Sequence, residues 1–145
     1  MKLFDFLNTN AHWLLRIGLA SVFFYHGALK LMNLDGFAAM LPISYIEVVL
    51  VALAETGGSV LLLIGGFSNN RFSDLATRIG AALNIPVMIG AISMIHWGRW
   101  NFLPSESHPM GGIEFQVFLG LVMLFLVITG NKGLNPVGTS AARAV

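Results

Sequence analysis

Residues 43–65 read ISYIEVVLVALAETGGSVLLLIG, an uninterrupted run in which Glu47 and Glu55 are the only charged side chains. At about 1.5 Å of rise per residue, a helix of this length reaches across a hydrocarbon core of roughly 30 Å. The run lacks the alternation of apolar and polar residues that a barrel strand requires, so it reads as a membrane helix. Working outward, three more stretches of spanning length lie at 12–31, 75–97 and 113–130. The segments between them are MNLDGFAAMLP, GFSNNRFSD and GRWNFLPSESHPMGG, each carrying Gly, Asn, Pro or charge that breaks a membrane helix. Backbone polar groups in lipid must be satisfied within helices or a closed barrel. The expected fold is therefore all-α, an integral membrane four-helix bundle. It forms a single membrane domain over 1–145, with a short interfacial N-terminus and a polar C-terminal tail.

The composition agrees. The chain is 56% apolar and 10% charged, with a mean hydropathy of +0.77, far from the balance of a soluble domain. A formal net charge of +1 with scattered Lys and Arg excludes the basic surface that nucleic-acid binding needs. There is no cysteine, so disulfides, thiolate metal sites and thiol chemistry within the chain are excluded. The N-terminal MKLFDFLNTN runs directly into an apolar stretch long enough to span, which predicts a retained first helix rather than a cleaved signal.

Lys2, Arg71, Arg78, Lys132 and Arg143 fall on the side shared by both termini and the middle connection, against Lys30 and Arg99 on the other. By the positive-inside rule both termini are expected to be cytoplasmic, with Trp13 at the inner interface and Trp97 and Trp100 at the outer. Leu3, Phe4, Phe6 and Leu7 can form the apolar side of a short interfacial helix. Pro86 deprives the carbonyl of Ala82 of its helical donor, so a kink near Asn84 is expected, with Asn84 satisfying part of the break. Ala54-x-x-x-Gly58 and Ala76-x-x-x-Gly80 set small residues on one face of two helices, as close packing requires.

Charges inside a bilayer are costly and tend to face the bundle interior, a cavity or each other. At 100° per residue His26 lies about 80° and Lys30 about 40° from Arg16, so the first helix has one polar side. Glu47 and Glu55 are likewise about 80° apart, whereas Arg78 and His96 share an azimuth five turns apart. Sorted by depth, His26, Lys30, Glu47, His96, Glu114 and Gln116 fall towards one side, and Arg16 and Arg78 towards the other, with Glu55 between. A buried charge network of Arg16, Glu55, Arg78 and Lys30 is expected, with Arg16 reaching Glu55 as an ion pair. His26, Glu47, His96 and Glu114, one from each helix, are expected to bound a ligand pocket. Histidine can donate to a carbonyl, and a desolvated carboxylate can relay a proton, which suits a quinone. The bland alternative is that residues near helix ends simply snorkel. No His-x-x-x-His or Glu-x-x-His spacing supports a metal site, and none is expected. Gly57-Gly58 and Gly65-Gly66 lie within or at the end of a helix and read as packing glycines, not as a phosphate loop.

The ordered set Arg16, Phe23-Phe24-Tyr25-His26-Gly27-Ala28-Leu29-Lys30, Ala54-Glu55-Thr56-Gly57-Gly58 through Gly65, Thr77-Arg78-Ile79-Gly80-Ala81-Ala82, His96 and Glu114 resembles the DoxX family of small four-helix membrane proteins. The likeness covers roughly residues 14–130. It implies a membrane subunit in a redox system, including a subunit associated with thiosulfate oxidation linked to quinone reduction. Without cysteine this chain cannot handle sulfur covalently, so a protein partner would bring the electron carriers. The expectation is a subunit of a quinone-linked redox complex in a bacterial or archaeal cytoplasmic membrane. It has no independent catalytic activity, no assigned catalytic residue and no covalently bound cofactor, and a quinone is the ligand. The alternatives are a structural accessory subunit of a larger membrane complex and, less favoured without inverted repeats, a small transporter or channel.

Overall fold

The computed structural model describes residues 2–132; the C-terminal tail with Arg143 and the side chain of Lys2 lie outside that description. Among the described residues all regular structure is helical. The helices are α1 (Lys2–Asn10), α2 (His12–Met32), α3 (Leu34–Met40), α4 (Tyr45–Ile64), α5 (Arg71–Ala91) and α6 (Glu114–Thr129), with α5 continued by a π-helical turn over Ile92–His96. Three stretches are long and apolar enough to cross a membrane: Phe6–Met32, Tyr45–Ile64 and Arg71–His96. The expected count of four spanning helices is met only in part. Helix α6 has 16 residues, about 24 Å of helix against a core of roughly 30 Å, and α1 and α3 are additional short helices. Leu3, Phe4, Phe6 and Leu7 are exposed on α1.

Local chemistry explains where helices begin. Ser44 and Glu47 form a capping box at the start of α4: the Ser44 side chain accepts from the Glu47 N–H, and the Glu47 carboxylate accepts from the Ser44 N–H at 2.7 Å. Each satisfies a donor that the first helical turn leaves without a partner. Asn70 caps α5 by accepting from the Ser73 N–H, and Asn33 caps α3 by accepting from the Gly36 N–H.

Helix α2 packs on α4, α4 on α5 and α5 on α6. Buried Leu19, Phe23, Leu62, Ala81, Met88, Leu119, Met123 and Leu126 join all four into one apolar cluster. Lipid is as apolar as these side chains, so close van der Waals fit rather than water exclusion must hold them together. Gly58 and Gly80 let the backbones of two helices approach closely. A Cβ added to Gly80 would sit 2.7 Å from the Gly58 carbonyl oxygen, and one added to Gly58 would sit 2.8 Å from that of Gly80. The two small-residue patterns thus bring the backbones of α4 and α5 together. Helix α5 runs through Pro86 to Ala91. Fully buried Asn84 donates to the Gly80 carbonyl at 3.2 Å, not to that of Ala82, so it does not repair the break that Pro86 makes. A side chain bending back one turn reaches the i−4 carbonyl, whereas Ala82 is only two residues away.

Candidate functional site

The bundle has a terminal end, where α2 begins and α6 finishes, and a loop end, where residues 97–113 connect the π turn to α6. At the terminal end Arg16 is 1% exposed. Its guanidinium donates to the Leu62 carbonyl at 2.8 Å, Thr77 Oγ1 at 2.8 Å, Asn131 Oδ1 at 2.7 Å and His12 Nδ1 at 3.2 Å. Asn131 in turn donates to the carbonyls of Gly65 and Ser68, both at 2.9 Å, and its backbone N–H donates to Asp74 at 2.7 Å. Arg78 pairs with Asp74 at 2.8 Å and donates to the carbonyls of Val127 and Ile128, the free acceptors of the last turn of α6. This end ties α2, α4, α5 and the end of α6 together, through neutral acceptors around Arg16 and the Asp74 carboxylate beside Arg78.

The expected Arg16–Glu55 ion pair is not formed. Glu55, 3% exposed, takes both its hydrogen bonds from Lys30, at 2.7 and 2.9 Å. Helices α2 and α4 run antiparallel, so Arg16 lies level with Leu62, seven residues and about 10 Å along α4 from Glu55. The expected four-member charge network is therefore two groups: Arg16 and the Arg78–Asp74 pair, joined through Asn131 at the terminal end, and Lys30 with Glu55 at the loop end.

The Lys30–Glu55 pair borders a cavity of about 190 Å³ at the loop end, whose wall includes Phe23, His26, Val51, Met88, His96, Gln116 and Leu119. Helices α2, α4, α5 with its π turn, and α6 all contribute. Two of the four expected pocket residues, His26 and His96, meet here. Glu47 does not: it is exposed and occupied in the capping box of α4. Glu114 lines a more open cleft of about 670 Å³ with Trp100, Phe102 and Phe118, which adjoins the cavity along Met110, Phe115 and Gln116. Glu114 opens α6, and Gln116, two residues on, borders both the cleft and the cavity.

The two histidines differ. His26 is exposed, contacts Tyr25 edge-on, and makes no hydrogen bond among the described residues. His96 is buried at the end of the π turn, a distortion that recurs at functional sites. Its Nδ1 lies 2.8 Å from the Gly111 carbonyl oxygen and its Nε2 lies 3.0 Å from the Gln116 amide nitrogen. A carbonyl only accepts, so Nδ1 donates to Gly111, and the Gln116 amide meets the other ring nitrogen. Gly111 reaches His96 from a left-handed conformation, φ +80°, that favours glycine. The same amide orientation leaves Gln116 Oε1 buried and without a donor among the described residues.

Asn131, Asp74 and Lys30 as the partner of Glu55 are the contributors that the sequence did not single out in these roles. For Asn131 there was no signal, since an Asn following a Gly after a helix is ordinary loop chemistry. For Glu47 there was one: Ser44-x-x-Glu47 ahead of an apolar run is a capping-box pattern. No curated protein and no solved structure matches the chain. A family model does: it covers residues 11–97, including Arg16, His26, Lys30, Glu55, Arg78 and His96. With well over half of its length matched, the chain belongs to the DoxX family.

Proposed function

We propose that the loop-end cavity binds the head ring of a quinone, and that the chain serves as a membrane subunit of a quinone-linked redox complex. The single observation that carries this reading is the cavity itself, an apolar enclosure interrupted by His26, Lys30, Glu55, His96 and Gln116. Its size suits one ring. A cavity of about 150 Å³ admits benzene, and this one is about 190 Å³, so a prenyl tail stays outside in lipid. The bound quinone supplies the electron-accepting chemistry. The chain's own residues orient and shield it: His26 has a free ring nitrogen to donate to a ring oxygen, and Lys30 has one N–H beyond the two directed at Glu55. Phe23, Val51, Met88 and Leu119 exclude water. The Lys/Arg asymmetry supports both termini facing the cytoplasm of a bacterial or archaeal cell, with α6 completing a fourth crossing by local thinning of the surrounding bilayer.

A second reading is a purely structural accessory subunit. It is favoured by the number of charged side chains already occupied within the chain: Arg16, Arg78, Glu47 and the Lys30–Glu55 pair all have partners. Titration of the purified protein in nanodiscs with a short-tailed quinone analogue separates the two. Saturable binding weakened in His26→Ala supports the quinone site; no binding to the wild-type protein leaves the accessory role.

A further inference from the structure

A ring held in the cavity leaves its tail to be placed. The cavity has room for the ring alone, so the hydrocarbon chain of a membrane quinone must leave it on one side. The open cleft of about 670 Å³ adjoins it there: Met110, Phe115 and Gln116 line both spaces. Met110 is 55% exposed, and its unbranched side chain turns aside readily. Beyond this partition the cleft is walled by Trp100 and Phe102 of the loop and by Val117, Phe118 and Leu121 of α6, with Glu114 as the one charged residue among its lining. Phe118 and Leu121 are exposed, so the rest of the described chain leaves this apolar wall uncovered. From Glu114 to Leu121 the cleft follows α6 for about 10 Å away from the loop end, far enough to seat the first isoprene units of a tail.

We propose, resting on the quinone reading above, that this cleft seats the prenyl tail of the ligand whose ring occupies the cavity. The tail leaves past Met110 and Phe115 and runs down α6 over Phe118 and Leu121 into lipid. Continuity with the cavity singles out the tail of the bound ligand over the acyl chain of a bulk lipid. Another way out of the cavity passes Phe37 and Met40 of α3. On that side the Phe37 ring lies 5.7 Å from Lys30 Nζ, and a hydrocarbon chain would have to displace it from the ammonium. Lipid is as apolar as the cleft, so the tail gains by close packing and not by leaving water. A ligand seated this way enters sideways from the membrane, its ring reaching the Lys30–Glu55 pair while its tail stays in hydrocarbon.

The test uses a benzoquinone whose two-isoprene tail ends in a photoreactive diazirine, bound to the wild-type protein in nanodiscs and irradiated. Adducts are mapped by mass spectrometry with and without an excess of the same ring lacking a tail. The expected adducts fall within residues 100–102 and 115–121 and disappear with the competitor. In Phe118→Ala, which changes the cleft without touching the lining of the cavity, the prenylated quinone should weaken about threefold relative to the tailless one. Taking that ratio against the wild-type protein cancels partition into lipid, and the exposed position of Phe118 keeps the fold intact. Competed adducts on α3, adducts that the competitor does not diminish, or an unchanged ratio in Phe118→Ala overturn the tail seat and leave the quinone site standing. No saturable binding of the tailless quinone overturns the quinone reading itself.

Discussion

The two ends of the bundle bury cations in opposite ways. At the terminal end, Arg16 is enclosed without a carboxylate partner among the described residues, and four of its five N–H groups donate to Leu62, Thr77, Asn131 and His12. At the loop end, Lys30 is held by a full counter-charge, yet the pair borders a cavity whose wall keeps an exposed imidazole with no hydrogen bond among the described residues. A network in which nearly every polar group is already used fixes helix positions and has little left to offer a ligand. An ion pair beside an incompletely satisfied cavity is a poorer clamp and a better binding site. Burial of charge alone does not distinguish structure from function; what matters is whether the neighbouring polar groups are used up.

The largest effect should come from breaking the closed end. Arg16→Met takes the guanidinium donor from the Leu62 carbonyl, Thr77 and Asn131, leaving Asn131 Oδ1 with the Thr77 hydroxyl alone, and should cost about 3–5 kcal/mol in reversible unfolding in detergent. A variant as stable as the wild-type protein would erase the contrast between the ends. The next is a pair of double-mutant cycles. Lys30→Met with Glu55→Leu should show a coupling of about 1–3 kcal/mol, each single change costing more than its share of the double. Arg16→Met with Glu55→Leu should be additive within about 0.5 kcal/mol, since they do not touch. Coupling in the second cycle instead of the first would restore the Arg16–Glu55 pairing.

At the loop end, His26→Ala should lower affinity for a short-tailed quinone analogue roughly tenfold while moving stability by no more than about 0.5 kcal/mol, because the ring is exposed. A large loss of stability with unchanged binding would assign His26 to packing. The smallest effect is expected at Glu47. Glu47→Ala removes half of a capping box, worth on the order of 0.5–1 kcal/mol by analogy with other caps, and should leave ligand affinity untouched. A loss of binding there would return Glu47 to the site.

By itself the sequence determined the helical, membrane-type character of the chain, the approximate extent of its long helices, and the small set of charges they carry. These follow from length and hydropathy, which are local properties set by the thickness of the hydrocarbon core. The small-residue faces were legible for the same reason, and Gly58 and Gly80 do meet. Tertiary structure alone decided which charges meet. Lys30 rather than Arg16 reaches Glu55, Glu47 turns out to a cap, Glu114 faces a different cleft from His96, and Asn131 closes the terminal end. Pairing depends on the register between antiparallel helices, and a slip of one turn, about 5.4 Å, exchanges one partner for another. Hydropathy locates helix ends no more finely than that. Loop chemistry is further still from periodicity: the Gly111 carbonyl meets the buried ring of His96 only once the chain has folded back across the end of the bundle.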